Sequence, residues 1–186
     1  SPPLPLTRNS TLSLSHYLSF SAPQLTVVWL AAPIQVLQGI YAKYYGFSLA
    51  TLASIILLSR LFDAVSDPLI GYYSDRYYRR SGTRKPFLLA GGLLLIISAY
   101  FLYVPPEAPS LLYFFIWFMA FYLAWTLFEI PHIAWAGEIC PDSNEKVKIY
   151  SARTVASYSG LILFYGIPLL PIFASRDITP ETLQFV

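Results

Sequence analysis

The chain has 186 residues, of which 56% are hydrophobic, 17% aromatic and only 12% charged, with a mean hydropathy of +0.54. Soluble domains carry about twice that share of charge, so the composition excludes an ordinary soluble domain and fits a polytopic membrane protein. A single cysteine, Cys140, excludes an internal disulfide framework. The net charge of +2 is modest, and its basic residues cluster at the ends of apolar spans, which leaves no basis for nucleic-acid binding.

Residues 1–15 lack a charged n-region and an apolar h-region, so they read as a flexible cytoplasmic tail rather than a signal peptide. Asn9-Ser10-Thr11 matches the N-glycosylation pattern, but the topology argued below places it on the cytoplasmic side. The first apolar span, 17–41, carries Pro23, Pro33 and the amides of Gln24, Gln35 and Gln38. Prolines in a membrane helix free backbone carbonyls and bend it. The second span, 49–73, is long enough for a hydrocarbon core of roughly 30 Å. Arg60, Asp63 and Asp67, at offsets of three and four, stand on one of its faces. Pro68 has no N–H for the carbonyl of Ala64, so local irregularity is expected beside the aspartates.

A basic loop follows, from Gly71 through Asp75 and Arg76 to Gly82, Arg84, Lys85 and Pro86. The third span, 86–104, contains Gly91-Gly92, which permits close helix approach. Pro105-Pro106-Glu107-Ala108-Pro109 makes a short, stiff outer turn. The fourth span runs over 110–135 and the fifth over 150–173, and residues 176–186 form a polar tail. The fold class expected is an all-α polytopic membrane protein with five transmembrane helices.

Lysine and arginine placement orients the chain. The second-to-third loop holds Arg76, Arg79, Arg80, Arg84 and Lys85, and the fourth-to-fifth connection holds Lys146, Lys148 and, at the helix edge, Arg153. The first-to-second turn has only Lys43 and the third-to-fourth has none. The alternation places the N-terminus and the basic loops in the cytoplasm, in a plasma or inner membrane.

An intramembrane charge costs a few kcal/mol on insertion scales and marks a functional site by default. Ionised, Asp63 and Asp67 can supply oxygens to a small hard cation such as sodium; as close neighbours away from bulk water, one of them can instead carry a proton. The plainer alternative is an internal ion pair with Arg60 that only joins helices. In the fourth span Trp125, Glu129 and His132 share a face, with Thr126 beside them and Pro131 breaking the ladder. Trp125 can stack on a sugar ring, and Glu129 can accept from hydroxyls or pair with Arg153; Trp125 and His132 serve equally well as packing. Asp75 can cap a helix or pair with the guanidinium groups near it, while the basic residues there also anchor anionic headgroups. The sequence has no Gly-rich phosphate loop, metal-ligand cluster or nucleophile–base spacing, so neither an enzyme nor an organic cofactor is expected.

Gly71…Asp75-Arg76…Gly82…Arg84-Lys85 resembles the helix 2–3 loop signature of the major facilitator superfamily. More narrowly, Arg60-Leu-Phe-Asp63-Ala-Val-Ser-Asp67-Pro68…Gly71 resembles the second helix of the glycoside–pentoside–hexuronide:cation symporters, the melibiose-permease group. Glu129-Ile130-Pro131 and Arg153 extend the likeness over nearly the whole chain after the tail. The resemblance implies that Asp63, Asp67 and Thr126 bind the coupling sodium or that the aspartates bind its proton equivalent. It implies that Glu129 and Arg153 contact a glycoside-like substrate, with Trp125, His132 and Gln24 as further substrate-side candidates. Gly71, Asp75, Arg76, Gly82, Arg84 and Lys85 would form the cytoplasmic gate.

Two departures stand out. The family has an acidic sugar ligand on its first helix, where this span has no Asp or Glu, leaving Gln24, Thr26 or Gln35 to substitute. The family also has twelve helices in two halves, so the chain reads as an N-terminal fragment whose partner is the missing C-terminal half. The function expected is cation-coupled sugar symport by alternating access. Its rivals are a lipid or amphiphile carrier of the same family and a non-transporting membrane scaffold or sensor.

Overall fold

The computed structural model describes residues 12–140, 142–173 and 177–186. Most of the expected tail, with its Asn9-Ser10-Thr11 pattern, lies outside the described residues. Among the described residues seven α-helices follow in order: α1 (Leu14–Ala31), α2 (Ile34–Tyr45), α3 (Leu49–Ser81), α4 (Lys85–Tyr103), α5 (Leu111–Ile139), α6 (Ser143–Gly166) and α7 (Pro180–Phe185). A 3-10 turn, Ile167–Leu169, extends α6, and the described residues contain no strand.

Among the described residues four stretches are long and apolar enough to cross a membrane: Leu14–Tyr45, Leu49–Ser81, Lys85–Tyr103 and Leu111–Ile139. The expected fifth span falls on α6, which is not among the four. Glu145, Lys146, Lys148 and Arg153 and several serines dilute its apolar content.

The two prolines of the first span act differently. Pro23 lies inside α1, whereas Pro33 separates α1 from α2. At this break Gln35 and Val36 bond back three residues, to Ala32 and Pro33. The Tyr103 hydroxyl donates to the Leu30 carbonyl over 2.7 Å in the last turn of α1, supplying a donor where the helical ladder stops.

In α3 two expectations are corrected. The helix runs unbroken through Pro68, because one proline removes one hydrogen bond while the flanking turns keep theirs. It also continues past residue 73 to Ser81, so Gly71, Asp75 and Arg76 sit on helix rather than in a loop. Charge does not end a helix; Gly82 does, at a left-handed φ of 69°. Thirty-three residues span about 50 Å, so the charged end of α3 projects beyond a hydrocarbon core.

α3 is inside-out by soluble standards. Leu57, Leu61 and Val65 are 63%, 59% and 62% exposed, while Ser59 and Ser66 are buried. A lipid surround makes that arrangement favourable, since lipid tails are as apolar as leucine and small polar residues then go to helix contacts.

α4 packs on α5, α1 on α6 and α3 on α5. A Cβ on Gly91 would stand 2.6 Å from the Phe128 nitrogen, and one on Gly160 would stand 2.6 Å from the Leu25 oxygen. These glycines set the α4–α5 and α1–α6 spacing. After the 3-10 turn the chain folds back, and α7 buries Leu183 in the core beside α4.

The start of α1 is tied to the start of α6 through Glu145. Its carboxylate receives the Tyr17 hydroxyl and pairs with Lys148 at 2.8 Å. Lys148 first, then Tyr17, holds this carboxyl below the usual glutamate range. A depressed carboxyl stabilises the fold above its unfolded value, about 4.3, and that stability is lost as pH falls through the lower folded value. Amide exchange near Leu12–Tyr17 is therefore expected to accelerate only under acid conditions below that value. An unchanged rate in Glu145→Gln at neutral pH would contradict the tie.

Candidate functional site

A cavity of about 440 Å³ opens between α1, α2, α3 and α5, with Leu161 of α6 on its wall. The break at Pro33 places α2 so that Gln35 and Gln38 line it opposite Arg60, Asp63 and Asp67 of α3. From α5 come Phe121, Tyr122, Trp125 and Thr126.

Asp67 and Thr126 meet here: the threonine hydroxyl donates to Asp67 Oδ1 over 2.9 Å, joining α3 to α5. Asp63 stands one turn away on the same face. Its Oδ2 lies 3.4 Å from Arg60 Nη1, a long contact, and its Oδ1 is shielded from solvent without a hydrogen-bond partner. Arg60 also reaches the Tyr122 hydroxyl at 3.3 Å and lies over that ring, 4.9 Å from its centroid. The guanidinium is thus drawn aside by the aromatic, leaving an acceptor-rich wall with one unmet oxygen. Among the described residues no group of three or more His, Cys, Asp or Glu side chains is arranged to hold a metal; the donors here are two carboxylates and a hydroxyl.

Glu129 and Arg153 form a second cluster outside the residues lining that cavity. Glu129 Oε1 lies 2.5 Å from Arg153 Nη2, bridging α5 and α6, while Glu129 Oε2 is buried without a partner. Of the other substrate-side candidates, only Trp125 reaches the cavity. Gln24 is buried in α1, where its amide N–H donates to Ser157 over 3.2 Å and its oxygen is unpartnered. His132 is buried against the Phe20 ring and bonded to Arg153.

Of the residues expected to form a gate, Asp75 and Arg84 meet at the far end of α3. Arg84, at the N-terminus of α4, has a side chain only 4% exposed. Its Nη2 lies 2.7 Å from Asp75 and 2.6 Å from Glu138 of α5, its Nε also donates to Glu138, its Nη1 donates to Ser74, and its plane covers Tyr78. Arg76 instead donates to Tyr72 on its own helix, and Lys85 is exposed. A Cβ on Gly71 would make only an ordinary 3.8 Å contact with Ile130.

Glu138 was not singled out from the sequence. Its only signal was an acidic residue at the end of an apolar span nearest a basic loop. A guanidinium fork satisfies two carboxylates in a way an ammonium cannot. Arg84→Ala leaves both carboxylates unpaired, at a cost below the roughly 3–5 kcal/mol of a fully buried pair because both partners are partly solvated. Arg84→Lys is expected to recover only part of the lost thermal stability, and full recovery would show that the fork is unimportant.

The family described as MFS/sugar transport protein matches residues 17–184. The chain is 30% identical over 147 residues to the uncharacterized symporter YnaJ of Bacillus subtilis (strain 168), covering 77% of this chain and 32% of that protein. It is 30% identical over 155 residues to the putative glycoside/cation symporter YagG of Escherichia coli (strain K12), covering 81% and 34%. It is 28% identical over 170 residues to major facilitator superfamily domain-containing protein 12 of Mus musculus, covering 84% and 35%. The chain thus spans about a third of the length of these curated relatives. No solved structure matches it.

Proposed function

This chain belongs to the MFS/sugar transport protein family and, with its symporter relatives, to the glycoside–pentoside–hexuronide:cation group, and on that premise we propose that it supplies the cation-coupling helices of a secondary active transporter. Asp63, Asp67 and Thr126 bind the coupling cation, sodium or a proton, and Glu129 and Arg153 bind a glycoside-like substrate. The observation that carries the reading is the unpartnered Asp63 oxygen beside the Asp67–Thr126 bond on a cavity wall. Burying an acceptor without a partner costs free energy, and a bound cation recovers it while quenching the repulsion between the two carboxylates.

Coupling follows from linkage: a cation that raises substrate affinity is itself bound more tightly when substrate is present. Rocking of this half against a second half, around a site near the midplane, carries both across. The N-terminus and the Arg84 cluster then face the cytoplasm, where the fork closes one end. The relatives named as symporters support transport rather than enzymatic turnover. Five crossings, with α6 as the fifth, fit this assembly.

Trp125 makes the proposal testable, since it stands on the cavity wall next to Thr126. Sodium is expected to produce a saturable change in tryptophan fluorescence that is absent in Asp63→Asn. A flat titration of a folded sample would point to proton coupling or to a cation site that needs the second half. A second reading, carriage of an amphiphile, is favoured by the Phe121, Tyr122, Trp125 and Leu161 walls and by the absence of an acid on the first span. Uptake of a labelled oligosaccharide would exclude it.

A further inference from the structure

His132 is buried, 1% exposed, on the α5 face between α1 and α6. Its ring lies flat on Phe20, with centroids 4.2 Å apart and planes 6° from parallel, and against Phe128 on the other contact at 5.0 Å. Both ring nitrogens are engaged. Arg153 Nε lies 3.1 Å from Nδ1, and the Phe20 carbonyl lies 3.1 Å from Nε2.

Arginine can only donate and a carbonyl can only accept. Nδ1 is therefore the acceptor, Nε2 carries the hydrogen, and the ring is in its neutral Nε2–H form. A chain of contacts results, from the α1 backbone through His132 of α5 to Arg153 of α6, and from Arg153 to Glu129 of α5. Nη2 lies in ion-pair range of Glu129 but has no hydrogen-bond partner, so the Nε–His132 bond is the directional contact that orients the guanidinium plane. Neither a substrate hydroxyl nor a coupling ion can reach a ring that is stacked and bonded at both nitrogens.

We propose that His132 is a positioning residue: it holds the plane of Arg153 so that the guanidinium and the free oxygen of Glu129 present one fixed hydrogen-bonding surface to the substrate. The inference rests on the reading that Arg153 and Glu129 contact substrate, and it moves His132 from direct contact to support.

The chain has two histidines, His16 and His132, so ¹⁵N-histidine labelling of the purified protein resolves the tautomer, with His132→Asn giving the assignment. Nδ1 is expected to be the unprotonated nitrogen, and Arg153→Ala to shift its resonance. A protonated Nδ1, or a resonance indifferent to Arg153→Ala, overturns the proposal even where His132→Phe does not fold.

Binding of nitrophenyl glycosides is the second measurement. Losing a hydrogen bond to a charged group predicts about tenfold or more weaker binding in His132→Phe. His132→Asn, whose amide oxygen falls near the Nδ1 position, restores most of it. His132→Phe adds nothing on top of Arg153→Ala. Additive losses would mean direct contact and overturn the proposal. A normal His132→Phe beside a weakened Arg153→Ala overturns it while sparing the substrate reading. An Arg153→Ala protein that binds like the wild type overturns both.

Discussion

Asp63→Asn is expected to abolish sodium-driven accumulation in the full-length transporter. The side chain keeps its shape but loses the charge and one acceptor from a wall where Asp63 Oδ1 has no other partner. A unit charge at about 4 Å contributes about 4 kcal/mol at an effective dielectric of 20, or roughly a thousandfold in affinity. Sodium then no longer raises substrate affinity, because linkage acts in both directions. Asp67→Asn is a useful companion, since its amide oxygen still accepts the Thr126 hydroxyl and preserves the α3–α5 bond. Loss of coupling in a normally folded Asp67→Asn protein thus separates the ion from the packing. Undiminished accumulation by Asp63→Asn would sink the cation site.

The second large effect separates two adjacent glycines. In Gly91→Val the new Cβ would lie 2.6 Å from the Phe128 nitrogen, 2.9 Å from the Leu127 carbonyl carbon and 3.0 Å from the Ala124 oxygen. All three are backbone atoms of α5 and cannot rotate aside, so the helices must part. Overpacking costs about 1–3 kcal/mol and occasionally more, and a clash with rigid backbone belongs at the upper end. At a size of 150–250 residues that lowers the unfolding midpoint by roughly 6–12 °C. At Gly92 no atom lies within 4 Å of the added Cβ, so Gly92→Val should shift the midpoint by little. Equal effects at the two positions would refute the close α4–α5 packing. Gly160→Val, against the backbone of Leu25 and Trp29, should match Gly91→Val.

Much of the site was legible in the sequence because helical periodicity is local. Offsets of three and four put Asp63 and Asp67 on one face without any knowledge of neighbours, and the cost of charge in an apolar run marked that face as a candidate site. What lies across from the face is not local. Trp125, Glu129 and His132 share a face of α5, yet Trp125 lines the cavity while His132 is sealed between Phe20 and Arg153. The wall supplied by Gln35 and Gln38 depends on where α2 goes after Pro33 breaks the helix. Glu138 escaped notice because its partner is 54 positions away.

The sequence by itself determined the membrane character, the helical class and the placing of two aspartates on one helix face, since each follows from composition or from the turn of a single helix, while the family was legible through the resemblance of its motifs. Only the tertiary structure decided that α3 passes through Pro68 and ends at Gly82, that Gly91 rather than Gly92 touches α5, and that Arg84 joins Asp75 to Glu138. Those outcomes depend on helix-to-helix distances and azimuths, which arise from packing between elements remote in sequence and leave no period in the chain to read.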